Sequence, residues 1–359
     1  MSKKIIFSGG GTGGHILPAI NLMKHFFEKK YKVLLVTDKR GSNFIKNNTE
    51  FKSYILRAAT PTNKNLIKKV FSLFLIFYSI IKSILILKRE KPDLVFGLGG
   101  YVSFPISFAS KFFNCPLIIY ENNMVLGRTN RYLSSFSKKI FLSKSLEKNF
   151  PENLKNKIHE VGAVIDKKII NYTTIKKNKK KNSLSVLVLG GSQGAEIFGR
   201  VVPAAIKMIK DKNYEIEINQ QCTINQKNYL IDFYKKNNIK NYIFEFDRDI
   251  LKLALSSNFA ITRCGASTTA ELVHTLTPFI AVPIPNSIDN HQYLNAKYYE
   301  NKGCCWILEQ NNFNTENLFN LIMENIENKN NLENVRNNMK KNYNNKAYSN
   351  IENKIKELI

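Results

Sequence analysis

Cysteine is scarce in this chain and unclustered. The five that occur, Cys115, Cys222, Cys264, Cys304 and Cys305, form no C-x-x-C pair and no Cys/His group at metal-ligand spacing. That excludes a zinc module and a disulfide framework as organising devices and fits a reducing compartment. Acidic residues are the second shortage: 28 Asp and Glu stand against 54 Lys and Arg, a formal net charge of +26. Such an excess suits a phosphate-rich partner, whether nucleotide, anionic lipid or nucleic acid. Lysine is nevertheless spread over nearly every segment alongside Asn and Ile, so a generally solvated lysine surface accounts for the charge equally well. A secretory signal is also missing, because the first apolar run ends at Ser8 and glycines follow. The expected location is therefore cytoplasmic. No short-period repeat is present.

The longest apolar stretch runs from Leu66 to Leu87, LIKKVFSLFLIFYSIIKSILIL, and Lys68, Lys69 and Lys82 interrupt it. Its unbroken part is shorter than the ~20 residues that cross a bilayer, so a span is not expected. Two readings remain open. One is a helix buried on most sides and hence apolar nearly all round. The other is a helix resting on an anionic membrane surface, apolar side chains dipping in and lysines near the headgroups.

At 359 residues the chain is long enough for two domains, each with its own core. Apolar strands alternate with amphipathic helices, the pattern of parallel α/β sheets. The first half opens with a strand over Lys4–Ser8, the loop Gly9-Gly10-Gly11-Thr12-Gly13-Gly14-His15, and a helix whose Ala19, Leu22, Met23, Phe26 and Phe27 share a face, with Pro18 in its first turn. Further strands are expected over Lys32–Thr37, 94–98 and 117–120. A lysine-rich stretch, 176–182, reads as a solvated loop, after which the pattern restarts. A strand over 184–189 leads into Gly190-Gly191-Ser192-Gln193-Gly194-Ala195 and a helix, and strands over 258–262 and 279–283 flank the segment from Arg263 to Glu271. The tail after Asn311 has helical propensity but too much Asn and Lys to bound its elements.

Gly9, Gly11 and Gly14 satisfy G-x-G-x-x-G, and Asp38 stands at the end of the second strand where a dinucleotide enzyme keeps its ribose-binding acid. An NAD-dependent oxidoreductase is thus a rival reading, though it leaves the second glycine loop unexplained. The glycines themselves say only that backbone approaches a ligand closely and that a helix N-terminus faces it. His15, at the mouth of that loop, can take a proton near neutral pH and is a candidate general base; a capping or structural histidine is the plainer account. In the second loop, backbone amides and the Ser192 hydroxyl can hold a diphosphate without a metal. Glu271, one to two turns into the helix after Thr262, can accept two hydrogen bonds from a ribose diol or simply complement the helix dipole. Asp289-Asn290-His291-Gln292 places a polar cluster just past a strand end, the edge at which ligands collect in open α/β sheets. A binder of nucleic acid would explain the charge but has no use for His15 among glycines.

Taken together, Gly10 to His15 with Pro18-Ala19, the run from Gly97 through Gly99, Gly100, Tyr101 and Ser103 to Pro105, Gly190 to Ala195, Arg263 to Glu271, and Asp289 to Ala296 resemble, in order and spacing, the signature blocks of the MurG transferases. The resemblance covers residues 10 to about 296. It implies an α/β GT-B fold, two Rossmann-like domains facing across a cleft. Residues 1–163 would take the lipid-linked acceptor and 164–340 would bind the UDP-sugar, with a last helix near 341–359 packing back on the first domain. It implies transfer of N-acetylglucosamine from UDP-N-acetylglucosamine to the C4 hydroxyl of undecaprenyl-pyrophosphoryl-N-acetylmuramyl-pentapeptide. This step of peptidoglycan biosynthesis would proceed by direct displacement with inversion. His15 would be the base. Thr12, Gly13, Gly14, Asn123, Ser192, Ala266, Ser267, Thr268, Thr269, Ala270, Glu271 and Gln292 would face the donor, and Gly99, Gly100, Tyr101 and Ser103 the acceptor. No cofactor and no metal ligand is called for, and no nucleic acid is expected. The family's counterpart of Leu66 to Leu87 meets the membrane, which implies a peripheral enzyme on the cytoplasmic face of the bacterial inner membrane. A UDP-sugar epimerase or glycolipid synthase shares the fold, but the Gly99-Gly100-Tyr101 block argues against both.

Two blocks depart from the family. Its His-Glu-Gln-Asn reads Tyr120-Glu121-Asn122-Asn123 here, and its Gly-Asn-Pro-x-Arg reads Gly162-Ala163-Val164-Ile165-Asp166. An acid therefore replaces the arginine expected at the donor phosphates, unless a one-residue slip brings Lys167 or Lys168 into its place.

Overall fold

The computed structural model describes residues 2–45, 51–57, 66–146, 152–170, 182–191, 196–247 and 249–359. Ser192 and its loop, and most of the lysine-rich stretch, lie outside the described residues. The chain divides into two compact units, Met1–Asp166 with Asn344–Ile359, and Lys167–Tyr343.

In the first unit β1 (Lys4–Ser8), β2 (Lys32–Thr37), β3 (Lys52–Ile55), β4 (Leu94–Gly97), β5 (Leu117–Glu121), β6 (Lys139–Leu142) and β7 (Ile158–Glu160) form one sheet in the order β3-β2-β1-β4-β5-β6-β7. In the second, β8 (Ser183–Leu189), β9 (Glu215–Gln221), β10 (Lys240–Phe244), β11 (Phe259–Thr262), β12 (Phe279–Ala281) and β13 (Cys305–Ile307) order as β10-β9-β8-β11-β12-β13. Every pairing is parallel. Parallel strands are covered by helices on both faces, which is why β1 buries Ile5, Ile6 and Phe7 in succession rather than alternating apolar with polar. Phe7 lies 5.4 Å from Phe96, and Phe96 5.8 Å from Phe141, so aromatic rings run across the middle strands. Strand order reverses between β1 and β4 and again between β8 and β11. The loops leaving those strands part at these points and open a crevice at the carboxyl edge of each sheet. The two-unit α/β fold expected from the sequence is the fold observed.

Two helices differ from the sequence reading. The helix after the first glycine loop spans Gly13–Glu28, so Pro18 lies in its second turn; without an N–H it cannot donate to the carbonyl of Gly14 four residues back. On that helix Ala19, Leu22, Met23 and Phe26 are buried, whereas Phe27, one position beyond the stripe, is exposed and packs edge-on against Phe51. The helix containing Leu66 to Leu87 spans Leu66–Glu90, and by length and composition it could cross a membrane. It is not a core helix throughout. Its last turns are fixed in the first unit through buried Ser79, Ser83, Ile86 and Leu87, while Ile67, Val70, Phe71, Leu73, Phe74 and Phe77 are exposed.

The tail resolves into helices Thr315–Glu327, Lys329–Asn342 and Ala347–Lys356. The last belongs to the first unit. His25 Nε2 lies 3.1 Å from Glu352, and the Asn350 side chain donates to the Val161 carbonyl at 3.1 Å.

Candidate active site

In the first unit the site grows from the loops after β1 and β4. His15 is the third residue of its helix, and its Nδ1 lies 2.9 Å from the Leu98 carbonyl. A carbonyl oxygen only accepts, so Nδ1 carries the hydrogen and Nε2 of the neutral ring keeps a lone pair for an incoming proton. Gly99 and Gly100 make this arrangement possible. Both have left-handed backbones, φ +86° and +76°. A Cβ on Gly99 would stand 3.0 Å from two atoms of the imidazole, and one on Gly100 would stand 2.8 Å from the Gly10 carbonyl oxygen. Only glycine satisfies both the torsion and the space. Thr12 caps the helix in extended conformation without a side-chain bond, and the amides of Gly13 and Gly14 begin it, where no upstream carbonyl takes them.

Ser103 turns away from this crevice: it is buried and its hydroxyl donates to the Gly100 carbonyl at 2.9 Å, so it shapes the loop rather than offering a contact. Tyr101 is half-buried beside it. Asp38 is committed as well. Its Oδ1 accepts from the backbone of Gly11 at 3.1 Å and of Gly41 at 2.8 Å, and the residue is buried. The carboxylate that a dinucleotide reading would give to a ribose holds the glycine loop itself in place, and that reading loses its second motif.

β5 ends in the block that departs from the family. The Tyr120 ring is fully buried; its hydroxyl accepts from the Val164 amide at 3.0 Å and lies 3.2 Å from both the Gly162 carbonyl and Asn122 Oδ1. Burial pushes its pKa far above the phenolic range, with the Val164 bond opposing. The tyrosine is thus a neutral strut between β5 and residues 162–164. Asn123 donates both its backbone and side-chain N–H to Glu121 at 3.0 Å, which turns its own carbonyl oxygen away from that carboxylate.

In the second unit the helix Ala266–His274 starts at the carboxyl end of β11, with Gly265 as its cap. Ser267 and Thr268 are half-exposed. The next two side chains are not available: Thr269 is buried with its hydroxyl on the carbonyls of Gly265 and Ala266, and Ala270 packs in the core. Thr268 and Glu271 line a shallow depression together with Ile169, Leu189, Ile250 and Leu251. Apolar side chains thus lie there beside one hydroxyl and one carboxylate. Asp166 ends the first stretch of unit one, and Lys167 and Lys168 begin the short helix Lys167–Ile170 whose Ile169 reaches this depression.

Gln292 is oriented by the protein. Its Oε1 accepts from the amides of Cys264 at 3.3 Å and Ile284 at 3.1 Å, so its NH2 group faces outward as a donor. Asp289 and Asn290 before it have left-handed backbones, φ +53° and +54°, a conformation that Asn and Asp tolerate better than other side chains. Arg263, which the sequence marks only as part of a block, proves structural. Buried, it donates to the carbonyls of Val282 and Pro283 at 3.0 and 3.3 Å and to Gln310 at 2.6 Å, and it stacks on Phe198. Among the described residues no group of three or more His, Cys, Asp or Glu gathers to hold a metal ion.

This geometry, two α/β units with glycine loops at their crevices, agrees with the comparisons. The Glycosyltransferase family 28 N-terminal domain matches residues 5–142 and the Glycosyltransferase family 28 C-terminal domain matches residues 185–354. The class is thus that of a two-domain, nucleotide-sugar-dependent glycosyltransferase. The chain is 38% identical, over 100% of its length and 99% of the relative's, to the UDP-N-acetylglucosamine–N-acetylmuramyl-(pentapeptide) pyrophosphoryl-undecaprenol N-acetylglucosamine transferase of Pelagibacter ubique (strain HTCC1062). It is 34% identical to the transferase of the same name from Rickettsia bellii (strain RML369-C), covering 99% of this chain and 100% of that one. The fold superposes on the crystal structure of Acinetobacter baumannii MurG with a TM-score of 0.78 at 23% identity, over 99% of this chain and 100% of that one. The chain belongs to the MurG family of glycosyltransferases.

Proposed function

We propose that this protein transfers N-acetylglucosamine from UDP-N-acetylglucosamine to the C4 hydroxyl of the N-acetylmuramyl-pentapeptide carried on undecaprenyl pyrophosphate, with His15 as the general base. The observation that carries the mechanism is the pinned imidazole, Nδ1 on the Leu98 carbonyl at 2.9 Å. Nε2 takes the proton of the acceptor hydroxyl as its oxygen attacks the anomeric carbon; the bond from that carbon to the diphosphate breaks, UDP leaves, and the configuration inverts. The first helical turn supports the same reading. Gly13 and Gly14 have no positive φ, and a Cβ on either would meet nothing closer than 3.5 Å. The protein's own packing does not require glycine there; close approach of a sugar to the helix N-terminus does.

The second unit would hold UDP, the base over Ile250 and Leu251, the ribose at Glu271, the diphosphate at the amides of Ala266 to Thr268 and at Ser192, and the Gln292 NH2 group on a sugar hydroxyl. Fixed amide dipoles stabilise the charge that develops on the departing diphosphate. The acceptor's lipid would lie along the exposed face of the Leu66–Glu90 helix. There Phe71, Phe74 and Phe77 are 59%, 64% and 62% exposed and Lys68, Lys69 and Lys82 sit close by. Aromatic side chains beside ammonium groups suit the boundary between acyl chains and anionic headgroups, which supports a peripheral enzyme working at the cytoplasmic face of the inner membrane.

Purified protein, labelled UDP-N-acetylglucosamine and lipid-linked N-acetylmuramyl-pentapeptide test the proposal directly. The expected product is a lipid-linked disaccharide; UDP-sugar binding with no transfer would refute the acceptor assignment.

A further inference from the structure

Glu121 ends β5 and is 2% exposed, yet no reacting group needs it. Both of its oxygens are occupied as acceptors. Oε1 receives the backbone and side-chain N–H of Asn123 at 3.0 Å each, and Oε2 receives the Gly127 amide and Asn130 Nδ2 at 2.9 Å each. Asn130 is 1% exposed and spends its other amide hydrogen on the Tyr120 carbonyl at 3.0 Å. Its Oδ1 is buried and has no hydrogen-bond partner among the described residues. A buried amide oxygen left unpaired is costly. The side chain cannot flip to relieve it, because the flip would set oxygen against the Glu121 and Tyr120 oxygens. The NH2 side of Asn130 is thus locked.

That locked amide backs the wall of the His15 pocket. The position a Gly99 Cβ would occupy lies 3.5 Å from Asn130 Nδ2 and 3.0 Å from both Cε1 and Nδ1 of His15. The imidazole and the Asn130 amide thus share the space in front of the Gly99 Cα that a side chain would fill, and the preceding carbonyl is the one that fixes the His15 tautomer.

We propose that Glu121 is a positioning residue: through Asn130 it sets the Gly99 wall and hence the aim of the His15 imidazole, and through its other oxygen it fixes the loop that carries Asn123. One carboxylate would then register the base and a donor contact to each other. The inference rests on His15 being the base of the transfer reaction. Side chains misplaced by about an ångström lose one to two orders of magnitude in rate.

Glu121→Gln keeps the shape but replaces one acceptor oxygen with a donor, so one of its two pairs of bonds is lost. Asn130→Ala removes the amide beside Gly99, together with its bonds to the Tyr120 carbonyl and Glu121 Oε2, and leaves the two Asn123 bonds to Oε1 in place. Both variants are measured for transfer, with active sites counted by UDP binding, and for the nitrogen-15 NMR signal of the His15 Nδ1–H, assigned by its loss in His15→Ala. Asn130→Ala is expected to lower kcat by roughly 10- to 100-fold with KM for the UDP-sugar unchanged, and to shift or broaden that signal. Glu121→Gln is expected to show the consequence of whichever pair it loses: the same fall in kcat and moved signal if the Gly127–Asn130 pair is broken, or a raised donor KM if the Asn123 pair is. Wild-type kcat and an unmoved His15 signal in Asn130→Ala overturn the proposal, even if Glu121→Gln does not fold. If wild-type protein makes no disaccharide, or His15→Ala keeps full turnover, it is the reading of His15 that fails.

Discussion

The imidazole of His15 has one hydrogen-bonding nitrogen spent on the Leu98 carbonyl and one kept for chemistry, and this division predicts how the residue fails. His15→Ala should lower kcat by about 100-fold or more while leaving UDP binding intact, since a general base contributes to the transition state and not to nucleotide affinity. A parallel loss of UDP binding, measured by calorimetric titration, would make His15 a ligand contact. The residues around it differ in how far the sequence reveals them. His15, Gly99 and Gly100 stand out because the histidine closes one glycine loop and the pair forms another just past a strand, and the structure brings them into contact. Ser103 and Thr269 look from the sequence like ligand-facing hydroxyls, but both are buried on backbone carbonyls. Spacing cannot tell a hydroxyl that faces out of a helix start from one that bonds back into it. Glu121 is less visible still, since three of its four donors come from positions 127, 130 and the backbone, partners that no local pattern joins.

Elements were easier to read than side chains where one period dominated. β1 and β2 fall on the expected residues, because parallel buried strands are apolar runs bounded by polar ones. The tail was opaque for a physical reason: its asparagines look like loop residues, yet Asn314 and Asn328 serve as helix N-caps, accepting from the amides of Asn317 and Asn330. The Leu66–Glu90 helix was ambiguous because composition does not say which face a neighbour covers. Its C-terminal end is tied to the sheet by Glu90, which receives Lys52, Tyr54 and Lys4. Burial raises the Glu90 pKa, but those three donors outweigh it and hold the carboxyl at about 2. A carboxyl whose folded pKa is depressed stabilises fully above its unfolded value and loses that contribution as pH falls through the folded one. Glu90→Gln should therefore melt below wild type at neutral pH, and the gap should close between pH about 4.5 and about 2. A constant gap across that window would show that the ion pairs contribute nothing. At the other end of the same helix, Phe71, Phe74 and Phe77 are exposed and support no core. Changing all three to Ser should leave melting unchanged and abolish most sedimentation with anionic vesicles. Undiminished sedimentation would assign the membrane contact to the general lysine charge instead.

At the scale of the whole molecule, each unit owns a complete parallel sheet and a buried core, Ile206, Ile218 and Phe259 in the second and Ile6, Val95 and Ile119 in the first. The sequence announces this through its restart of strand, glycine loop and helix near Leu184. That the chain returns at Asn344 to complete the first unit was implied by the family resemblance, as a last helix near 341–359, and not by composition or period; its contacts join His25 and Val161 to the Ala347–Lys356 helix, more than 180 positions away for the closer of the two pairs. Units with separate cores can respond separately to a ligand. UDP lacks the sugar, so its proposed contacts lie wholly in Lys167–Tyr343, at Ile250, Glu271 and the start of the Ala266–His274 helix. A ligand at 100 times its Kd stabilises what it binds by roughly 2.7 kcal/mol, which for a domain of this size raises melting by roughly 5–10 °C. Saturating UDP should thus move the unfolding of the second unit and slow amide exchange around residues 263–271 and 291–295, leaving exchange at 12–15 and 98–101 as it was. Protection that appeared first at 12–15 would place the nucleotide on the first glycine loop and reverse the assignment of donor and acceptor to the two units.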